Sequence, residues 1–533
     1  MPPELLNFTQ NVILDGGTPP GNLSLLEFTQ NVFFNPDDGF TPVDEAGLTL
    51  YRGDHAQPHK HFSNVDGFLD RKTQNVIAKF TWDIDSDLNF ESITHFNNLK
   101  KTYLEDGDGL PVPIISFQTD MDYQQWSEEL RLAGTSERLR WQLGVYYLNM
   151  KHDGLAATVG NPVIRLANSL IASGELDENY DPGAGSPQAI QDYVVDASNW
   201  SLFSQIEYEL TDELVAIAGL RWSQDDKKLN YVRGFQDLSL NIPLIQQARL
   251  TPSDSDGNID YQDYAAKLQL NWQFDPDHLV FLSYNRGIKV GNWAFSAGVP
   301  VNELEHKPET LHSYEMGIKS RFPEPSLGIN LTGFYYDYQD YQAFAMLGLA
   351  PQIRNSDANV FGAELELSWQ ATEAFDITLG AAYLNSEVEK VNAVAKWNSP
   401  VGGTVIDFPV DHLYNVELPN SPKLSFNYIF RYQLPMFKGE VLDGAVSIQL
   451  DGAWYDEQYL EVTNGGGSYQ QAYGLSNIRL SYQPPEGQWE VNLWVKNATD
   501  EVYKQYSLDL GMLGATAYYA QGRTSGISVN FQW

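Results

Sequence analysis

Three imidazoles lie close together near the start of the chain. His55, His59 and His61, in DHAQPHKHF (54–62), are imidazole donors that could bind a metal if the loop folds round it. Pro58 and the irregular surroundings fix no geometry, so the segment reads as a solvated loop, with metal binding as the alternative. EDGDG (105–109) and DSDGNID (254–260) offer the oxygen donors that Ca²⁺ takes. Neither brings a Glu to the closing position of an EF-hand loop, and both read as acidic loops. Paired carboxylates do acid–base work only when they face one another. Glu128/Glu129 and Asp225/Asp226 are sequence neighbours, and neighbours on a strand point to opposite faces. The chain carries no GxSxG, no HExxH, no phosphate loop and no cysteine. No enzyme chemistry is read here, and no cofactor is expected.

The elements that carry these residues follow period two. In NWSLFSQIEYEL (199–210), Trp200, Leu202, Ile206, Tyr208 and Leu210 share one face, and Ser201, Gln205, Glu207 and Glu209 the other. RWQLGVYYLNM (140–150) and QWEVNLWVKN (488–497) repeat the pattern. About 17 such segments follow from residue 74 onward, each of roughly 10 residues or more, the length of a tilted strand crossing a bilayer. No apolar run is long enough for a transmembrane helix, and the first residues do not form a signal peptide.

Connections alternate between short and long. TDE (211–213), DPD (275–277), PEPS (323–326) and PPEG (484–487) are short; about 104–121, 152–198, 224–258, 289–310, 389–421 and 498–522 are long and polar. Short turns on one side and long loops on the other are the signature of an outer-membrane barrel. A soluble propeller would need a signature repeat of about 40–50 residues, and none is present. LLNFTQNV (5–12) does return as LLEFTQNV (25–32), which reads as a local duplication. The expected fold is all-β: a transmembrane, antiparallel, up-and-down β-barrel over 74–533. Residues 1–73 are expected to be loop-like, with one weak strand at GLTLYRG (47–53).

Charge narrows the partners. There are 33 Lys and Arg against 70 Asp and Glu, a net charge of −37, which excludes a nucleic-acid partner. Aromatics near strand ends, among them Trp222, Trp272, Phe274, Trp454 and Tyr455, suit interfacial girdles in outer-membrane lipid. Glu129 and Arg131 alternate with Leu130 and Leu132, and Arg221 with Leu220 and Trp222, so these three charges are candidate lumen residues for a ligand.

Several motifs in order then point to a family. SEELRLAG (127–134), FLSYNRGIKVGNW (281–293), KPETLHSYEMGIKSRF (307–322), FGAELELSW (361–369), LPNSPKLSFNY (418–428), VKNATDEVYKQY (495–506) and the closing GRTSGISVNFQW (522–533) resemble the barrel of TonB-dependent outer-membrane receptors. That resemblance implies a 22-stranded barrel with a plugged lumen. It also implies energised uptake of a scarce, bulky nutrient, most often a ferric siderophore. The partners implied are the TonB system, acting through a plug domain, and the barrel assembly machinery, which recognises the terminal aromatics Phe531 and Trp533. No plug is legible in this sequence, and the chain reads as the C-terminal part of a longer receptor. A passive porin-like channel and a surface-binding protein are the rival readings.

Overall fold

The computed structural model describes residue 63 and residues 65–531, apart from 108–114, 161–166, 168–169, 178, 181–185, 297–298, 348–349, 392–394, 399–404, 409–412, 435–443 and 510–514. His55, His59, His61 and Trp533 lie outside the described residues.

Seventeen strands form a meander: Phe68–Asp83 (β1), Leu88–Asp106 (β2), Ser116–Ser136 (β3), Leu139–Val159 (β4), Gln188–Glu209 (β5), Leu214–Asp237 (β6), Asn258–Asp275 (β7), His278–Lys289 (β8), Glu309–Phe322 (β9), Leu327–Leu347 (β10), Ala350–Thr372 (β11), Phe375–Val391 (β12), Leu424–Leu434 (β13), Ala445–Tyr455 (β14), Tyr473–Gln483 (β15), Trp489–Lys496 (β16) and Thr524–Phe531 (β17). Two short strands, Ile242–Leu250 beside β6 and Leu413–Val416 beside β12, complete one 19-stranded sheet. Each long strand is antiparallel to the next. Among the described residues β1 pairs only with β2, and β17 only with β16. The first strand begins at Phe68, inside the stretch expected to be loop, and its last residues before 74 already pair with β2.

Register decides which face each side chain takes. Leu202 lies opposite Trp222 and Ser204 opposite Leu220 on the outer face, while Phe203 lies opposite Arg221 on the inner one. The outer face is apolar and open: Leu220 is 55% exposed and Ile527 65%. A soluble protein would bury such a belt; a barrel gives it to lipid, with the backbone satisfied within the ladder. Rings mark both rims. Tyr147 lies between Trp126 and Trp200, with centroids 5.5 and 4.4 Å away. At the short-turn end Trp272, Phe274, His278 and Phe322 form a chain of ring contacts.

The strands run on past the belt. On β6 the outer face reads Leu214, Ala216, Ala218, Leu220 and Trp222, then turns polar at Gln224, Asp226 and Lys228. Much of the stretch expected to be loop at 152–198 and 224–258 is therefore paired strand standing above the membrane. Hydrophobic alternation cannot reveal such strands, because both of their faces meet polar surroundings or other loops. Among the described residues, buried apolar clusters lie up there, under the loops.

Candidate functional site: a polar lumen wall under an aromatic vestibule

The inner face of the belt is a polar ladder. Arg131 on β3 pairs with Glu129 beside it and with Glu91 of β2 at 3.4 Å, and Glu91 also holds Lys79 of β1. Farther round, Arg221 of β6 donates to Ser201 Oγ at 2.9 Å and to Ser223 Oγ at 3.3 Å, and its guanidinium lies over the rings of Tyr146 and Phe203. Gly144 makes that stack possible: a Cβ there would come within 2.2 Å of the Phe203 ring. Arg221 borders a concavity of about 580 Å³ lined by Phe203, Lys267, Asn285, Ser313, Glu315 and Tyr336. Glu315 accepts from Ser313 Oγ at 3.0 Å and from Tyr336 Oη at 3.1 Å. Glu129, Arg131 and Arg221 thus all face the lumen. The structure does not bring them into one site, because β4 and β5 separate β3 from β6.

The carboxylate neighbours separate as expected. Glu128 lies on the outer face and accepts from Ser92 Oγ at 2.7 Å and Thr94 Oγ1 at 2.6 Å, whereas Glu129 faces inward to Arg131. Asp226 meets Lys228 outside, and Asp225 lies inside next to Lys227. In DSDGNID, Asp254 folds back onto Thr251, accepting from its N at 2.8 Å and its Oγ1 at 2.9 Å, while Asp260 accepts from Gln224.

Above the belt residues 290–296 and 299–308 fold inward rather than outward. They wedge between two tall parts of the wall. On one side Lys227 Nζ donates to Gly291 O at 2.8 Å, Arg233 Nη1 to Val299 O at 2.8 Å and to Ser296 O at 3.2 Å, and Trp293 Nε1 to Asp256 O at 2.7 Å. On the other side Gln342 Nε2 donates to Val290 O and Lys307 O, and Asn355 bonds Lys307 in both directions. Phe295 then lies over two inner-wall tyrosines directly opposite each other on β5 and β6. Its centroid is 4.1 Å from Tyr193 and 5.5 Å from Tyr231, with interplanar angles of 24° and 10°. Gly154 lets Tyr193 lie flat, since a Cβ at that position would come within 2.4 Å of the ring.

These groups stand beyond the polar turn of β6 and outside the membrane-spanning segment. Burial pushes the Tyr231 hydroxyl up to about 12, against the pull of Arg233. Burial lowers Lys227, with Asp225 opposing. His306, buried at the base of the wedge, is held down at about 4 by burial, with smaller contributions from Lys227 and Lys289. No periodicity along the sequence marks this wedge; Trp293 and Phe295, two positions apart in NWAFSAGV (292–299), are the aromatic signal that could find it.

A sheet with this two-faced register has known counterparts. The family model described as "TonB dependent receptor-like, beta-barrel" matches residues 8–498. The chain belongs to that family. A probable TonB-dependent siderophore receptor, PiuA of Acinetobacter baumannii, is 21% identical to this receptor barrel over 442 residues, covering 77% of the chain and 53% of PiuA. Among solved structures, the ferric yersiniabactin uptake receptor FyuA of Yersinia pestis superposes with a TM-score of 0.64 at 18% identity, covering 87% of this barrel and 61% of FyuA. The ferric-catecholate import receptor Fiu of E. coli K12, in its closed form, gives 0.64 at 13% identity, covering 93% and 68%. The barrel chain spans about half the length of the curated relative, and the likeness to the solved structures is one of fold.

Proposed function

We propose that this chain supplies the barrel of an outer-membrane receptor that takes up a ferric siderophore or a similar iron complex, driven by TonB. The observation that carries the reading is the two-faced sheet of a TonB-dependent receptor family member: an apolar belt outside, a charged and hydroxyl-rich wall inside, and a folded vestibule above. In this reading outer-membrane lipid of a Gram-negative cell covers the belt, and the barrel assembly machinery inserts the chain. The vestibule captures the complex, and a plug contacted by TonB opens the lumen. The similarity to PiuA, named a probable siderophore receptor, supports iron as the cargo.

The test is uptake of ⁵⁵Fe complexes by a receptor-deficient strain carrying the gene, with and without TonB. Uptake that needs both supports the reading. Uptake or ion conductance that persists without TonB would establish the passive channel instead.

A further inference from the structure

The outer face of the belt is not smooth. Ala216 and Ala218 on β6 lie between Ile206 and Tyr208 of β5 and Leu268 and Leu270 of β7. Large side chains on both flanks of small ones leave a trench, and a concavity of about 440 Å³ opens there. Leu220 closes it at one end and Leu214 at the other, beside the short turn 211–213. From Leu214 to Leu220 is about 20 Å of strand. At a barrel tilt of about 40° that covers about 15 Å of depth, one leaflet of a hydrocarbon core about 30 Å thick. The foot of the trench is charged. Arg138, whose carbonyl accepts from Glu209 N at 2.9 Å, pairs with Asp212 at 3.1 Å, and both side chains are open to solvent. Among the described short turns Arg138 is the only cation; the other turns carry acids such as Asp85, Asp277, Glu324 and Glu373.

We infer that this trench holds one acyl chain of a zwitterionic aminophospholipid, phosphatidylethanolamine by class, from the leaflet on the short-turn side. Lipid is the occupant because the trench is continuous with the belt, and the headgroup follows from the charges at its foot. Phosphate oxygens accept from Arg138, and the ammonium donates to Asp212 and Glu213. A purely anionic headgroup would satisfy Arg138 and be repelled by the two acids. A second copy of this chain would bring its own acidic rim against this one. Apolarity alone selects nothing here, since a lipid tail is as apolar as Leu. Selection comes from the contacts that a filled void regains and from the headgroup. The inference rests on the reading of the belt as lipid-covered.

The experiment places the full chain in vesicles of phosphatidylcholine, whose quaternary ammonium donates no hydrogen bond. The vesicles carry either phosphatidylethanolamine or phosphatidylglycerol, spin-labelled on one acyl chain, and the readout is the fraction of label that the protein immobilises. A charged contact at the membrane surface corresponds to about a fivefold preference, so the wild type should favour the ethanolamine lipid by about that factor. Ala218→Phe fills the trench and should remove most of the excess. Val145→Phe, elsewhere on the outer face, should leave it. Asp212→Asn takes the acid from Arg138 and should shift the preference toward phosphatidylglycerol. Equal immobilisation of the two lipids by the wild type overturns the site, as does an excess that Ala218→Phe leaves intact. The chain has no cysteine, so Ala218→Cys adds a single thiol, and a disulfide between two copies there would give the trench to a second copy instead. Failure of the wild type to insert into either vesicle defeats the lipid reading of the belt and the trench with it.

Discussion

Arg233 Nη1 donates to Val299 O at 2.8 Å, joining the inner face of β6 to a segment that enters the sheet's interior more than sixty positions later. The same nitrogen reaches Ser296 O at 3.2 Å. Hydrogen bonds to charged groups are worth about 1.5–3 kcal/mol each. Arg233→Ala should therefore loosen the wedge without touching the belt. Hydrogen exchange should accelerate across 290–308 while the amides of β5 and β6 below Trp222 stay protected. Unchanged protection of the segment would show that the bonds from Lys227, Gln342 and Asn355, with the apolar packing of Trp293, Val299 and Leu304, hold it without Arg233.

The wedge should also respond to acid. The unfolded chain protonates a histidine near 6.5, and the buried His306 does so only near 4. A depressed value means that the open form binds the proton first, so stability is whole above 6.5 and is lost as pH falls from there toward 4. Glu305 next door works the other way, because burial and Asp256 push its carboxyl up. Protease cleavage within 290–308 should rise between pH 6.5 and 4 in the wild type, and much less in His306→Gln. Equal profiles would remove His306 from the account.

The two faces of the belt predict opposite tolerance. Leu220 faces outward and Asn285 lines the lumen concavity. An arginine facing lipid costs about 2–4 kcal/mol near the bilayer midplane. Leu220→Arg should lower unfolding stability in vesicles by that order, and Asn285→Arg should leave it within about 0.5 kcal/mol. Similar losses at both positions would contradict the assigned faces.

The terminal strand carries a prediction about assembly. Phe531 is exposed on the outer face of β17, where it pairs with Trp489, while Asn530 points inward to Glu490. Phe531→Ala, and separately Trp533→Ala, should lower the amount of barrel inserted, and Asn530→Ala should not. Pulse-labelled insertion into outer membranes reads this directly, and normal insertion of both aromatic variants would rule the signal out.

Strand faces were legible wherever lipid lies on one side. Alternation in 199–210 puts Leu202 and Ile206 on one apolar face, and register and exposure place both on the outer side of the sheet. Alternation also puts Glu129, Arg131 and Arg221 opposite the apolar residues beside them, and their ion pairs and hydrogen bonds lie on the inner face of the sheet. Their neighbours were not legible. Arg131 meets Glu91, and Arg221 meets Ser201, across strands, and a sequence states spacing along one strand only. The wedge escaped for a related reason: Phe295 finds Tyr193 and Tyr231 by leaving the sheet, where no period constrains it.

The first and last strands have a geometric consequence. β1 descends from the outer side into the short turn before β2, and β17 also descends, since β16 rises from the short turn after β15. The two edge strands of the sheet, as far as the described residues go, therefore point the same way. Brought together directly, or through an even number of intervening strands, they would meet in a parallel seam. Only an odd number of intervening strands closes this sheet with every neighbour antiparallel, so parity restricts which barrels can contain it.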